Sequence, residues 1–509
     1  MKYLLSSAVG AAVALSLAFG AAAQTAPVVR TVGGEVSGVA AGGVQSFKGI
    51  PFAAPPVGPL RWKPPQPAAA WSGLRDGSKF AASCYQQARN GRVENLSEDC
   101  LYLNVWRPEG ARPGAKLPVM VWIYGGAFVS GAGALPIYDG THFAENGVVL
   151  VTLNYRLGNL GWFAHPELTK ESAGQGTGDY GLMDQIGALA WVRNNIALFG
   201  GDPSNVTIFG ESAGGMSVNL LMTSPAARGL FAKAITESGL GRSGGKPLAT
   251  AEASGVAFAN TVGATSLADL RALPADKAWG PALTNIEGSA NPGPIVDGVL
   301  VPENVDRAFA EGKEAKVPWI VGSNNFEASL FPQRLENPAP YLNALSPDRL
   351  ALVSKVFDPE GTGDKKALVA GLMTDAVFTE PARYLAAQHE AHGAKTYRYY
   401  FGYVPEGMRK MVPGAGHAGE LMFVFSTLGS FPSRIPLTYT EMDKTIAGDM
   451  TRYWANFARS GDPNGGSLPA WPEDKGDRLL VIDPTGPHAA TALRKPQLDL
   501  VHVGASSRQ

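Results

Sequence analysis

The sequence predicts an α/β fold with a mostly parallel central sheet, helices on both faces and long insertions. Three observations carry this expectation. Short apolar runs recur at Val119–Tyr124, Val148–Asn154, Val206–Phe209, Ala234–Glu237 and Trp319–Val321, the pattern of strands buried on both faces. Helical stretches such as Leu182–Leu198 alternate with them, which argues for a parallel sheet covered by helices. Glycine-rich or polar turns follow several of the runs, at the carboxyl ends where open α/β sheets place their functional groups.

Residues 1–23 come first along the chain and read as a targeting segment rather than as fold. Lys2 gives a minimal positive region, Leu4 to Phe19 is apolar or small, and Ala21-Ala22-Ala23 before Gln24 resembles an A-x-A cleavage site. Export with cleavage, to the periplasm or the outside, is the expectation; a retained anchor is the alternative. No other stretch nears the roughly 20 apolar residues that a spanning helix needs. Leu117–Tyr124 is the first clear buried strand, and Gly125-Gly126-Ala127-Phe128 follows it. Acyl transfer builds negative charge on a carbonyl oxygen, which preorganised backbone N–H groups must face at close range. Only small residues allow that approach, so Gly125, Gly126 and Ala127 are candidate donors.

Gly210-Glu211-Ser212-Ala213-Gly214-Gly215 lies between the strand Asn205–Phe209 and the helical pattern of Met216, Val218, Leu220 and Leu221. A G-x-S-x-G between strand and helix is the setting of a nucleophile elbow. Its glycines leave room for a sharp turn and for close packing of strand and helix. Ala213, which directly follows the serine, joins the candidate oxyanion donors. A serine hydroxyl also needs a base and an orienting acid, expected in the chain order serine, acid, histidine. Val317–Gly322 reads as a buried strand with Glu327 just past its end, which makes Glu327 the candidate acid. Asp297 competes, but its pairing with Gly298 reads more simply as turn chemistry. His417, in the glycine-rich loop Pro413–Gly419, is the candidate base. His389 and His392 fall in a helical stretch, Pro381–Ala394. Without a third ligand they read as an exposed helix face rather than a metal site. His488 and His502 read as strand or tail positions.

Composition narrows the field. With 43 basic and 44 acidic residues, the formal net charge is −1, which gives no reason to expect nucleic acid. A hydrophobic share of 45% fits a globular protein with a substantial core. No G-K-[ST] follows the glycine-rich runs, so a phosphate loop is not indicated. The candidate groups are spread so widely that any cut would split the site, and residues 24–509 read as one catalytic domain.

Further motifs are dense: Phe47-Lys48-Gly49-Ile50-Pro51, Glu98-Asp99-Cys100-Leu101-Tyr102-Leu103-Asn104-Val105, Asn154-Tyr155-Arg156-Leu157-Gly158 and Gly181-Leu182-Met183-Asp184-Gln185. Phe199-Gly200-Gly201-Asp202-Pro203 and Tyr453-Trp454-Ala455-Asn456-Phe457, leading to Gly461-Asp462-Pro463-Asn464, continue the series. With the elbow, they make the chain from about Glu35 to about Asp483 resemble the type-B carboxylesterases and lipases, the cholinesterase-like branch of the α/β-hydrolases. The resemblance implies a triad of Ser212, Glu327 and His417. It implies oxyanion donors at Gly126, Ala127 and Ala213, with Gly125 shaping the turn, and a second serine near the acid, Ser238. It also implies a Cys84–Cys100 bond, which an even cysteine pair in an exported chain favours; free thiols are the alternative. Two positions depart from the pattern, Ala328 after Glu327 and Ala127, both where glycine is common. Neither change removes a backbone donor.

The expected activity is hydrolysis of small-molecule carboxylic esters through an acyl-enzyme, with no metal or organic cofactor. Activity should then rise with pH near the ordinary histidine value of about 6.5. The competing class is a non-catalytic binding module on the same fold, which would be expected to have lost a triad group; thioester or amide hydrolysis is the competing chemistry. Cholinesterases carry a tryptophan in the disulfide loop that binds a quaternary ammonium, but Tyr85–Asp99 has only Tyr85 as an aromatic and adds Arg89 and Arg92. Arg409 and Lys410 precede the His417 loop, so an electropositive rim of Arg89, Arg92, Arg409 and Lys410 is expected to favour neutral or anionic esters. Gly288-Ser289-Ala290-Asn291 is expected to leave space for a bulky acyl group.

Overall fold

A computed structural model describes residues 26–87, 93–242, 244–280, 292–430 and 437–506. The expected strands join one 11-stranded sheet. In chain order its strands are β1 (Val39–Ala41), β2 (Val44–Pro51), β3 (Tyr102–Pro108), β4 (Leu117–Ile123), β5 (Val149–Leu153) and β6 (Gly201–Glu211). They continue as β7 (Lys233–Glu237), β8 (Trp319–Asn324), β9 (Thr396–Phe401), β10 (Arg478–Asp483) and β11 (Gly486–Thr491). Across the sheet the order is β11-β10-β9-β8-β7-β6-β4-β5-β3-β2-β1. From β10 to β5 the neighbours are parallel, and antiparallel strands extend both ends.

Side-chain chemistry explains the parallel centre. Val119, Met120, Val121, Trp122 and Ile123 of β4 are all wholly buried, as befits a strand covered on both faces. Trp122 packs on Phe209 of β6 at 4.8 Å and on Phe425 at 5.0 Å. Helix α1 (Tyr180–Asn195) carries the chain from β5 to β6, and α2 (Ala213–Thr223) follows β6 directly. The later helices include α3 (Lys365–Thr374), α4 (Glu380–Ala391), α5 (Glu441–Ser460) and α6 (Lys495–Ser506). A capping box of Thr440 and Asp443 starts α5, satisfying donors that a helix end would leave orphaned.

β4 lies between β6 and β5, so the chain reverses its direction across the sheet at this point. Ile123 of β4 and Gly210 of β6 are register partners, so the turns after both strands emerge side by side. Such a switch point is where open α/β sheets hold their ligands.

Some boundaries differ from the sequence reading. β6 begins at Gly201, with a register shift between Gly201 and Val206 that absorbs the polar Asp202–Asn205 stretch. The excursion at Gly241–Gly263 holds a helix at Leu248–Thr261, and that at Pro332–Asp364 holds helices at Pro332–Glu336, Ala339–Asn343 and Pro347–Phe357. No described helix is long and apolar enough to cross a membrane.

Candidate active site

Ser212 ends the turn between β6 and α2 with φ 57° and ψ −121°, a conformation that strains a residue with a Cβ. The flanking glycines make the turn possible. A Cβ on Gly214 would lie 2.0 Å from the Ile123 carbonyl oxygen, and one on Gly210 would lie 2.6 Å from the same atom. The turn thus lifts the hydroxyl out of the sheet while pressing the backbone against β4.

Glu327 leaves the end of β8 and is fully buried. One carboxylate oxygen accepts from the Asn324 N–H at 2.7 Å and from the Ser238 hydroxyl at 2.5 Å. The other lies 2.6 Å from His417 Nδ1. His417 Nε2 lies 2.8 Å from Ser212 Oγ. The same segment fixes the histidine loop: Ser329 Oγ accepts from the His417 N–H at 2.8 Å, Asn325 Oδ1 from the Ala415 N–H at 2.7 Å, and the Asn324 amide donates to the Gly416 carbonyl at 2.9 Å. An imidazole so placed can take the serine proton while the carboxylate holds the far N–H.

The glycine run after β4 meets the serine. A Cβ on Gly125 would lie 2.9 Å from Ser212 Cβ and 2.6 Å from the Glu211 carbonyl oxygen, so only glycine allows this approach. Gly126, Ala127 and Phe128 all have positive φ, at 115°, 54° and 63°, which turns the backbone sharply beside the serine. Among the described residues, no protein acceptor takes the N–H of Gly126, Ala127 or Ala213.

Sequence reasoning missed Glu211. Its carboxylate lies 3.2 Å from His417 Nε2, the nitrogen that faces Ser212. Burial pushes Glu211 up to about 8, although the imidazole beside it pulls the other way. Burial likewise raises Glu420 to about 7 and Glu237 well above the ordinary range, and Glu237 accepts the Trp454 indole N–H at 2.7 Å. For His417, burial disfavours the charged ring, but Glu211 and Glu327 outweigh it and hold the imidazolium up to about 9. The expectation of a titration near 6.5 is corrected upward for that reason. The available signal was a carboxylate at the end of an otherwise apolar strand, where a solvated charge has no place.

Cys84 and Cys100 are bonded. Asp297 accepts the N–H groups of Val299, Leu300 and Val301 with one oxygen and that of Thr177 with the other, so it is a turn residue. His389 is fully buried, against the expectation of an exposed helix face. Its ring nitrogens meet Glu314 at 2.9 Å and the Val317 carbonyl at 2.8 Å, polar partners that make burial tolerable. His488 lies in β11, and His502 lies on α6 rather than in a tail. Arg409 and Lys410 are exposed; the Arg409 guanidinium rests on the Tyr403 ring at 5.2 Å and donates to the Val404 carbonyl. Arg89, Arg92, residues 1–23 and Gly288–Asn291 lie outside the described residues.

Residues 25–501 match the Carboxylesterase family. The chain belongs to that family. Fumonisin B1 esterase of Sphingopyxis macrogoltabida is 41% identical over 475 residues, covering 87% of this chain and 84% of the relative. Cocaine esterase of Homo sapiens is 37% identical, covering 92% and 89%. A solved PNB esterase is 33% identical and superimposes with a TM-score of 0.79 over 94% of this chain and 100% of its own. The fold is accordingly that of the α/β-hydrolases, and the protein is a carboxylesterase that acts on small-molecule esters.

Proposed function

We propose that this carboxylesterase cleaves its ester through Ser212, His417 and Glu327 by way of an acyl-enzyme. The observation that carries the reading is the unbroken line of contacts from Ser212 Oγ to His417 Nε2 at 2.8 Å and from Nδ1 to Glu327 at 2.6 Å. Ser212 Oγ attacks the ester carbonyl carbon while His417 Nε2 takes its proton, and Glu327 holds Nδ1–H and stabilises the imidazolium. The carbonyl oxygen, now negative, faces the N–H groups of Gly126, Ala127 and Ala213, with Gly125 shaping the approach. Collapse expels the alcohol, which leaves with the proton from His417. A water then loses a proton to the same nitrogen and attacks the acyl carbon; the bond from that carbon to Ser212 Oγ breaks, His417 returns the proton to Oγ, and the acid is released. Ser212→Ala should lower kcat by at least about a thousandfold and abolish labelling by a fluorophosphonate, as removal of triad nucleophiles does. Near-native turnover in that variant would overturn the assignment.

Neutral and carboxylate-bearing esters are the proposed substrates, in preference to choline esters. The support is the absence of tryptophan between Tyr85 and Asp99 and the basic residues Arg89 and Arg92 there. The two relatives are named for unlike compounds, fumonisin B1 and cocaine, so neither name fixes the alcohol. Comparing kcat/KM for matched choline, neutral and anionic esters tests the preference, and a clear lead for choline would refute it. Export with removal of residues 1–23 completes the proposal; the Cys84–Cys100 bond supports it, since such bonds persist in oxidising compartments.

A further inference from the structure

Between α3 and α4 the helix does not break. It passes through a five-residue π-helical turn, Asp375–Thr379, a feature that recurs at functional sites. Pro381, just inside α4, accounts for it: proline has no N–H to offer the carbonyl four residues earlier, and its ring crowds that carbonyl. The carbonyl in question is that of Val377. It accepts instead from the Gly241 N–H at 2.9 Å, in the segment that begins with Ser238.

The rest of the turn is tied to the same machinery. Thr374 Oγ1, at its leading edge, accepts from the N–H of Ala328, the residue after Glu327, at 3.2 Å. Thr379 Oγ1 lies 3.0 Å from Ser323 Oγ on β8, the strand that delivers Glu327. Phe378 is 1% exposed and its ring packs against the His417 imidazole, with centroids 5.1 Å apart. Asp375 is fully buried and takes a two-pronged contact from Arg494, with nitrogen–oxygen distances of 2.7 and 3.0 Å. Arg494 stands at the start of α6, and α6 packs on this turn through the apolar cluster of Phe331, Leu368, Phe378, Leu500 and Val501.

We infer that the π-turn positions the catalytic base. Phe378 fixes the plane of the His417 ring, the turn's hydrogen bonds hold the segments that carry Glu327 and Ser238, and Arg494 locks the turn from the C-terminal end of the chain. Phe378 and Arg494 are positioning residues, acting through His417 and through Asp375 respectively. The inference rests on the triad reading above.

The test compares Phe378→Leu, Arg494→Met and Pro381→Ala in the full-length enzyme, with Ser212→Ala alongside, each assayed well below its own melting temperature. Phe378→Leu should lose roughly ten- to a hundredfold in kcat, and Arg494→Met roughly three- to tenfold, because small misplacements of a catalytic group are expensive in rate. KM for a small ester should stay within about twofold, since binding is untouched when kcat and kcat/KM fall together. Pro381→Ala supplies a helical N–H that competes for the Val377 carbonyl, so it should keep or raise the melting temperature while kcat falls. That opposition separates positioning from mere stability, and it decides the matter even if Phe378→Leu does not fold. Lower melting temperatures with wild-type kcat in the Phe378 and Arg494 variants, or wild-type kcat in Pro381→Ala, would overturn the inference while an inactive Ser212→Ala leaves the triad standing. An active Ser212→Ala would overturn both.

Discussion

Around Ser212 the constraints are local, set by the strand that ends at Glu211, the helix that begins at Ala213 and the glycines at 210 and 214 pressed on β4. Around His417 they arrive from far along the chain: Ser329 and Glu327, 88 and 90 positions earlier, hold its N–H and its ring. The first seat is rigid because backbone meets backbone. The second is an assembly of side chains, which can give way by small amounts. The proposed nucleophile, placed by local sequence, and the proposed base, placed by tertiary packing, should therefore fail differently.

Among changes that leave Ser212, His417 and Glu327 in place, the largest effect is expected at Gly214. Gly214→Ala drives a methyl into the Ile123 carbonyl, where nothing can swing aside, and should cost about 1–3 kcal/mol of stability and roughly a hundredfold or more in kcat. The matched change on the other seat, Gly416→Ala, meets the Ser329 hydroxyl at 2.9 Å, a group on a side chain. It should lose less than about tenfold. Equal losses in kcat for the two variants would erase the distinction.

Glu211→Gln sharpens it. Burial lowers the His417 value, whereas Glu211 and Glu327 raise it to about 9, so the ring holds its proton to a higher pH than a free histidine does. Activity should therefore climb above the ordinary value of about 6.5. Without the Glu211 charge the imidazolium is less stabilised, the neutral base appears at lower pH, and the acid limb of kcat/KM should move down by about 1–3 pH units. A pH–rate profile measures it, and an unmoved limb would remove Glu211 from the base's environment.

Cys84→Ser is the mildest case for catalysis. The bond closes a loop of separation 16, which stabilises by about 3 kcal/mol in the chain-entropy view, but it supplies no group to either seat. Denaturant melts should show the loss while kcat at low temperature stays near wild type.

The same contrast explains what could be read in advance. The elbow, the glycine run after β4 and the acid after β8 each combine a strand with the residues next to it, so periodicity and turn chemistry suffice to find them. His417 could be proposed only from its glycine-rich loop, because its fixing contacts have no local signature. Glu211 and Glu237 end apolar strands, a sign of burial, but their approach to one another and to Glu420 and His417 has no local signature. His389 departs from the exposed face that its sequence suggests: polar residues near a helix end suggest solvent, yet Glu314 and the Val317 carbonyl receive the ring inside. Pro381 reads as the first residue of a helix, where proline is favoured; it lies within a longer one, and the displaced turn follows from tertiary contacts that no window of sequence contains.

Ser212 also carries a consequence for how such a protein can change. Its positive φ is one that glycine adopts freely and serine only under strain, on the order of 1–3 kcal/mol. In the proposed mechanism the attacking side chain thus sits where the backbone would rather have none. Under that mechanism Ser212→Gly would relieve the strain and silence the enzyme, so the change that suits the backbone removes the chemistry. Stability must be recovered at positions remote from the elbow.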